Sequence, residues 1–353
     1  MNLNAVMRVE AIMKLKSVFF RSVLGAALIF SACSTETAIQ GVLSGKTSVP
    51  LFLECRAVSS TEIAFRFSEP VKMVSLFLEP FSEVLSFEEG KELLVTLAKP
   101  LREGEKITAD VLVEDEKRNT LNVLVPFRAR NDRIPKLLIN EVRTTYSNPR
   151  VEFVEFLSQS AGTLGALRLF MAGHSLTQPV YEFPPTEIKA GEYIVLHLRT
   201  REEGCVDETG NNIALSGGTE ALSTARDFWV PGTAKLLHDD DVVYLMDQDD
   251  RIIDAVLLSK SGGQSWSKPA LATGAELLAG QGAWLPPGKE NPAPGTYILT
   301  PDDAVNTGTA TATRTINRDQ TSTKSGRAEY WYITANSSAT PGTTNNTKRH
   351  VVK

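Results

Sequence analysis

The feature that most constrains this chain is a succession of short segments in which apolar and polar residues alternate. The segment "TEIAFRFS" (residues 61–68) places Ile63, Phe65 and Phe67 on one side of an extended backbone, because the side chains of a strand point alternately to opposite faces. Three more segments have the same character: "KELLVTLA" (91–98), "KITADVLVE" (106–114) and "TLNVLVPF" (120–127). Turn residues separate them at fairly even spacing, without a helical period. Residues 50–130 are therefore predicted to form a small antiparallel β-sandwich.

A second region with extended segments follows the charged stretch "RARNDRIP" (128–135), which is typical of a linker between domains. The chain has 353 residues, of which 42% are hydrophobic, so it is long enough to bury about two cores. The predicted fold class is all-β, with two sandwiches in tandem.

The first region resembles the bacterial immunoglobulin-like domains of the surface-layer type. The resemblance rests on "FRFSEPV" (65–71), "PLREGEKITADV" (100–111) and "EDEKRNTL" (114–121). In the last of these, Arg118 stands where the family usually has glycine at a hairpin turn. The resemblance covers about 80 residues (50–130) and implies an immunoglobulin-like sandwich.

The second region, residues 136–346, resembles the lamin-tail domain, an immunoglobulin-like β-sandwich. The motifs that carry the resemblance occur in the family's order: "LLINEV" (137–142), "VEFVEF" (151–156), "IKAGEYIVLHL" (188–198), "DDVVYLMDQDDRIIDAVLL" (240–258) and "YWYITANSSATPGTTN" (330–345). We assign the family's late strand to "TRTINR" (313–318) rather than to "QSWSK" (264–268). Against that pattern, residues 199–235 and 259–312 are long insertions, and "AELLAGQ" (275–281) is a possible helix within the second.

The N-terminus has the order of a secretory signal peptide. Lys14, Lys16 and Arg21 precede the apolar stretch "SVLGAALIF" (22–30), which is too short for a membrane-spanning helix of about 20 residues. The following "FSACSTE" (30–36) resembles a bacterial lipobox, which implies cleavage after residue 32 and lipidation of Cys33. Several acyl chains on one residue anchor a protein stably in a membrane.

Residues 33–49 are small and polar and are interpreted as a tether. The residue after Cys33 is Ser34 rather than an aspartate, and by analogy with diderm lipoproteins this favours the outer membrane or cell surface over the inner membrane. At the other end, residues 337–353 are small, polar and then basic, and are expected to trail off from the domain, with residues 347–353 assigned as the tail.

Charge argues against a nucleic-acid partner. The total is −5, and residues 1–32 contribute +3, so the remaining chain carries −8. A polyanion is repelled by that average, and we expect no nucleic-acid binding.

Glu152 and Glu155 lie within "VEFVEF", where a core strand usually has apolar residues. In the lamin-tail family these glutamates belong to the fold signature. We therefore expect a structural rather than catalytic role, with Glu152 accepting hydrogen bonds from backbone amides of a neighbouring loop.

Neither a metal site nor a catalytic centre is indicated elsewhere. The stretch "HDDDVVYLMDQDD" (238–250) holds six aspartates, of which Asp247, Asp249 and Asp250 are weak candidates for calcium. A hairpin turn explains the same residues more simply. Hydrolase, phosphate-loop and zinc-protease signatures are absent, so no catalytic residue and no cofactor is assigned. Cys55 and Cys205 could pair or stay free, and the sequence does not decide between the two.

The tryptophans of the insertions are the candidate binding residues. Trp229, Trp266 and Trp284 lie beside glycine or proline or within polar loop sequence. Tryptophan is enriched at binding hot spots, although a loop tryptophan more often packs its own loop onto the domain. The prediction is a non-catalytic envelope protein, held at the membrane by lipid, that contacts an unidentified protein, glycan or other envelope component. The alternative is an exported hydrolase or a nuclease-associated accessory protein.

Overall fold

Six strands form the first sandwich in the computed structural model, which describes residues 49–288, 291–320 and 326–351. They are β1 (Phe52–Ala57), β2 (Glu62–Glu79), β3 (Val84–Glu88), β4 (Gly90–Leu97), β5 (Lys106–Glu114) and β6 (Thr120–Arg128). The long strand β2 belongs to two layers, because its first half pairs with β1 and β4 and its second half pairs with β5. All four segments predicted as strands are strands, and the alternating residues Ile63, Phe65 and Phe67 are buried between the layers.

The β5–β6 turn has hairpin geometry although no glycine stands at position 118. Arg118 adopts a left-handed backbone with φ of 66°, which is costly for a residue with a Cβ atom. The side chain of Asp115 holds the turn, since its carboxylate accepts hydrogen bonds from the backbone N–H groups of Lys117 and Asn119, each at 2.8 Å. The hydrogen bonds of Asp115 therefore stabilise the turn, and Arg118 bears its backbone strain.

The second sandwich contains thirteen strands among the described residues. They are β7 (Leu137–Arg143), β8 (Phe153–Ser158), β9 (Gly162–Thr163), β10 (Arg168–Met171), β11 (Tyr181–Glu182), β12 (Glu187–Ile188), β13 (Tyr193–His197), β14 (Arg226–Trp229), β15 (Asp241–Met246), β16 (Ile252–Ser259), β17 (Val305–Asn306), β18 (Ile316–Arg318) and β19 (Trp331–Ile333). One sheet has the order β11-β10-β15-β16-β17 and the other β14-β13-β8-β7-β18-β19, while β9 and β12 form a separate pair. Two 3-10 turns span Pro301–Asp303 and Ala328–Tyr330.

The two sheets of this sandwich share one apolar core and a buried ion pair. Arg318 of β18 donates to Asp254 of β16 at 2.5 Å and to the carbonyl oxygen of Ile139 in β7 at 2.6 Å. Both side chains are almost fully buried, so each charge depends on the other to offset its desolvation. Of the late strand predicted at residues 313–318, residues 316–318 form β18.

The insertions are folded parts of the sandwich, not long surface loops as predicted. The first contributes β14, which pairs in parallel with β13. The second contributes β17 and the helix α1 (Pro269–Gln281), which confirms the predicted helix and extends it by six residues. The apolar face of α1, including Leu271, Ala275 and Leu278, lies in the common core, so burial of this face fixes the insertion to the domain.

The C-terminal segment does not trail off, contrary to the expectation for residues 337–353. Gly342 and Asn345 are buried, and an isolated antiparallel bridge joins Thr334 to Arg349. The sequence suggested a tail because its residues are small and polar, but hydrogen bonds rather than apolar contacts hold the segment in place.

The described residues are almost entirely strand, turn and irregular structure, so the all-β fold class is confirmed. Among them no helix has the length and apolar character needed to cross a membrane. The predicted signal peptide, Cys33 and most of the tether lie outside the described residues.

Candidate functional site

Glu141 and Glu155 form a buried polar cluster with the C-terminal segment. Glu141 of β7 and Glu155 of β8 are register partners on neighbouring strands, and neither is accessible to solvent. The Glu155 carboxylate accepts the backbone N–H of Gly342 at 2.5 Å and the side-chain amide of Asn140 at 2.6 Å. Glu141 accepts the backbone N–H of Thr340 at 3.2 Å. The two carboxylates thus fix the "TPG" turn onto the sheet.

Gly342 is required at this turn for two reasons. Its φ is 78°, in the left-handed region that favours glycine. A Cβ atom there would lie 2.7 Å from the hydroxyl oxygen of Thr224, so a side chain would separate the turn from the first insertion and from Glu155.

Burial dominates the protonation of this cluster. It raises the pKa of Glu155 well above the usual range, and the nearby Glu141 carboxylate raises it further. Burial also raises the pKa of Glu141, although hydrogen bonds from Thr315 and Thr340 oppose the shift. A carboxyl group with a raised pKa can serve as a general acid, but both groups here are enclosed and bonded to their own chain.

Glu152 has a structural partner of a different kind from the one expected. Its carboxylate receives two hydrogen bonds from the guanidinium of Arg199, each 2.6 Å long. The expectation of backbone amide donors is therefore wrong for Glu152, and it describes Glu155 instead. Arg199 follows the end of β13 and also donates to the carbonyl oxygen of Thr233, so Glu152 ties β8 to both ends of the first insertion.

A histidine lies under the same insertion. His197 of β13 contacts Asp227 of β14 through Nε2 at 2.9 Å and stacks on Trp229 with ring centroids 3.9 Å apart. Asp227 accepts the backbone N–H of Leu222 as well. Both side chains are buried, and this arrangement orients the insertion rather than presenting a base to solvent.

The three candidate tryptophans pack against the domain to different degrees. Trp284 is fully buried and Trp229 nearly so, whereas Trp266 is half-buried. Each indole N–H group donates a hydrogen bond within the chain. Trp229 donates to Ser216 Oγ, Trp266 to the Leu299 carbonyl and Trp284 to the Asp303 carbonyl. A partner could reach Trp266 in this conformation, but it would reach Trp229 and Trp284 only after the insertions moved.

A small cleft opens beside Trp229, with a volume of about 80 Å³. Its rim carries Arg199 and Arg201, whose guanidinium carbons lie 4.7 and 4.9 Å from the ring centre of Tyr146. Cys205 also lines the cleft, and burial raises the pKa of its thiol. A thiol with a raised pKa is less ionised at neutral pH and is therefore a weaker nucleophile.

The aspartates of the β15–β16 hairpin shape the turn and connect it to the linker and to β10. Asp247 accepts the backbone N–H groups of Asp249 and Arg251 within the turn, at 2.8 and 3.0 Å. Asp249 is bound by Arg130 of the linker, with a shortest distance of 3.0 Å. Asp250 pairs with Arg168. In the part of the chain that the structure describes, no group of three His, Cys, Asp or Glu residues could hold a metal ion.

Hydrogen bonds and ion pairs hold the linker, residues 128–135, against both sandwiches. Asn131 exchanges hydrogen bonds with Gln248 of the hairpin, and its side-chain amide donates to the carbonyl oxygens of Thr163 and Gly165. Arg133 bridges Glu103 of the first sandwich and Glu187 of the second, each at 2.6 Å. Sequence reasoning missed this role of the hairpin, although the arginines at 128, 130 and 133 next to an acidic turn could have suggested it.

A groove of about 410 Å³ lies at the joint between the two sandwiches. It is lined on one side by residues 100–103 and on the other by residues 185–187, with Ser60, Arg133 and Thr163 completing it. Cavities of this size between domains are common ligand sites. Here the guanidinium of Arg102 already donates to the Pro185 carbonyl across the gap at 2.9 Å.

Cys55 and Cys205 are both free, so they do not bridge the two sandwiches. Burial raises the pKa of the Cys55 thiol to about 12. The possibility of a disulfide that the sequence left open is thereby closed for this conformation.

Comparison with known proteins found one matching family model and one related sequence. The family model described as TP_1001_2nd, protein second domain, matches residues 135–333. An uncharacterized protein of Treponema pallidum (strain Nichols) is 29% identical over 194 residues, which is 52% of this chain and 48% of the relative. The match thus spans about half the length of that relative.

Two solved structures were also found. The N-terminal part of the bacterial S-layer protein SbsC is 18% identical and has a TM-score of 0.24, with 45% of this chain and 42% of that chain covered. Domains 1–6 of surface layer protein SbsC are 12% identical with the same TM-score, with 68% and 44% covered.

Proposed function

The chain belongs to the TP_1001_2nd protein second domain family, and from this premise we propose that it is a non-catalytic, lipid-anchored envelope protein. In this proposal Cys33 carries the lipid and residues 34–49 form the tether. The two sandwiches, immunoglobulin-like and lamin-tail-like, contact a protein, glycan or other envelope component.

The observation that carries the proposal is that three buried polar side chains able to do chemistry are bonded to the chain itself. Glu152 binds Arg199, Glu155 binds Gly342, and His197 binds Asp227. Each of these contacts fixes an insertion or the C-terminal segment to the sandwich. Rigid loops on a β-sandwich suit recognition, because little conformational entropy is lost when a partner binds.

The joint supports a role in display. Arg130 and Arg133 connect the linker to both sandwiches, and Asn131 adds hydrogen bonds to buried carbonyl groups. A fixed joint keeps the second sandwich at a constant distance from the first, and so from the membrane if the tether begins at Cys33.

The anchor is tested by replacing Cys33 with serine in the full-length protein. We expect the variant to move from the detergent phase to the aqueous phase in a two-phase separation, and to lose labelling with a radioactive fatty acid such as palmitate. If the variant stays in the detergent phase, the proposed anchor at Cys33 is wrong. Surface proteolysis of intact cells then distinguishes an outward-facing protein from a periplasmic one. Ser34 favours the outer membrane over the inner membrane but does not determine which side of it the protein faces.

The contact surface is tested on the insertions at residues 199–235 and 259–312. We propose that Trp266 is its most accessible anchor. Photo-crosslinking in intact envelopes should give a defined adduct that Trp266→Ala reduces at least fivefold. Trp284→Ala is the matched change at a buried position and is expected to lower stability instead. Unchanged crosslinking by a folded Trp266→Ala variant would place the contact elsewhere.

A further inference from the structure

Strand β3 is an edge of the first sandwich, and it is unusually apolar for an edge. Within the described residues it pairs only with β4. Leu85 is 70% exposed, Phe87 is 45% exposed, and Phe81 immediately before the strand is 85% exposed. Exposed edges usually carry lysine or proline, which prevent pairing with another chain. Residues 81–90 contain neither.

The charged residues within the edge segment 81–90 are all negative. Glu83, Glu88 and Glu89 are exposed, and no basic residue lies between positions 81 and 90. Glu89 accepts the backbone N–H of Met73. Among the ion pairs formed by the described residues, none involves Glu83 or Glu88. A ligand at this edge would therefore meet two carboxylates without cationic partners.

A groove continues from the beginning of the strand. Its volume is about 340 Å³, and it is lined by residues 80–83 and 99–102 together with Glu105 and Ile107. Lys99 and Arg102 lie on the wall opposite Glu83, and the guanidinium of Arg102 is held by the Pro185 carbonyl. Pro80, Phe81, Pro100 and Leu101 give it apolar walls. The space is sufficient for one or two side chains of a bound segment.

We propose that β3 binds an extended, basic segment of a partner protein by strand addition. The backbone of the segment would continue the sheet beyond β3, where the outward N–H and C=O groups of an edge are free to pair. Its apolar side chains would contact Phe87 and Phe81, and its lysines or arginines would contact Glu83 and Glu88. This interaction does not depend on the lipid anchor.

A second copy of this chain fits the same edge poorly in the register centred on the middle residue of the strand. Antiparallel pairing of two β3 strands about Ser86 places Glu83 of each copy opposite Glu89 of the other, and like charges directly opposite one another destabilise a strand pair. The other edges are also less suitable. Strand β1 carries Glu54 and Arg56, which belong to a set of ion pairs with Arg66 and Glu92, and β6 contains Pro126, which lacks the N–H needed for a ladder.

The test measures peptide binding by fluorescence anisotropy with the full-length protein in detergent. The probe is a labelled ten-residue peptide in which lysine and valine alternate. A peptide with glutamate in place of lysine tests the charge. A peptide with N-methyl groups at alternate positions cannot donate ladder hydrogen bonds and tests strand addition. We expect the lysine peptide to bind at least tenfold more tightly than either, and to weaken as salt screens the carboxylates.

Two variants locate the site. Leu85→Lys adds a positive charge at the edge and should weaken binding at least tenfold. Phe77→Lys makes a comparable change at a residue that is also 70% exposed but lies in the half of β2 that pairs with β5, and it should leave binding nearly unchanged. The proposal would be overturned if both variants lost peptide binding equally. It would also be overturned if the glutamate peptide or the N-methylated peptide bound as tightly as the lysine peptide. A dimer of the full chain that Leu85→Lys dissociates would overturn it too, because the occupant would then be a second copy.

Discussion

Glu152 and Glu155 show how two glutamates in one strand segment acquire different roles at the scale of single residues. The carboxylate of Glu152 meets a guanidinium, whereas that of Glu155 meets a backbone N–H and an amide. The first is an ion pair between mostly buried side chains, and the second is a carboxyl group without a cationic partner among its hydrogen bonds. These environments predict different responses to mutation and to pH.

Glu152→Ala is expected to lower the unfolding free energy by about 3 kcal/mol, because it leaves Arg199 partly buried without its counter-charge. Glu152→Gln should cost less, since the amide oxygen can still accept one hydrogen bond. Urea unfolding followed by circular dichroism measures both. Glu203→Gln, at an exposed position in the first insertion, is the control and should change little. If both Glu152 variants are as stable as the native chain, the structural role is wrong.

The raised pKa of Glu155 predicts a pH dependence of stability. The folded chain holds this proton more tightly than the unfolded chain does, so the unfolding free energy falls as the pH rises above the ordinary glutamate value of about 4.3. The loss continues up to the raised pKa, at no more than about 1.4 kcal/mol per pH unit for one group. Glu155→Gln removes the titration, and its stability relative to the native chain should therefore improve between pH 5 and pH 8. A difference that stays constant over that range contradicts the raised pKa.

At the scale of elements, the hairpin between β5 and β6 and the hairpin between β15 and β16 each use an aspartate to shape a turn. Asp115 and Asp247 both accept two backbone N–H groups from the residues that follow them. In the first hairpin the backbone strain of the turn lies at Arg118, whose φ is 66°. In the second, φ is 59° at Asp250, and the turn also carries Asp249 to the linker.

Arg118→Gly is expected to stabilise the first sandwich by up to about 1 kcal/mol, because glycine adopts the left-handed backbone without a Cβ penalty. Part of the gain is offset by the greater freedom of glycine in the unfolded chain. Thermal unfolding of the variant checks the sign. Lys117→Gly, one residue earlier, is the matched control and should not stabilise, since its φ is not positive. A lower unfolding temperature for Arg118→Gly would show that the arginine side chain contributes more than the strain costs.

At the scale of the whole molecule, the two sandwiches approach each other so closely that only glycine fits at the contact. A Cβ atom on Gly165 would lie 2.6 Å from the carbonyl oxygen of Glu103, and one on Gly104 would lie 2.3 Å from the carbonyl carbon of Gly165. Around this contact the arginines of the linker form their ion pairs. The backbone contact sets the distance between the sandwiches, and the exposed ion pairs around it add a smaller contribution each.

Gly165→Val is therefore expected to separate the two sandwiches without unfolding either. The radius of gyration from small-angle X-ray scattering should increase, and one denaturation transition should become two. Gly210→Ala is the control, because nothing lies within 4 Å of the Cβ position at Gly210. An unchanged radius for Gly165→Val would mean that the backbone contact does not hold the joint.

The sequence by itself determined the all-β class, four of the six strands of the first sandwich, a late strand within residues 313–318 and a helix near residues 275–281. These follow from local alternation and turn chemistry, which each segment carries in its own residues. Only the tertiary structure decided which groups meet across the chain. Glu155 and Gly342 are 187 positions apart, and Arg130 and Asp249 are 119 apart. Such pairs leave no periodic pattern, because a hydrogen bond or ion pair depends on the position of a single atom group after folding. For the same physical reason the C-terminal segment was predicted to be a tail: its small polar residues bury little apolar surface, and hydrogen bonds to groups brought near by the rest of the fold hold it on the sheet.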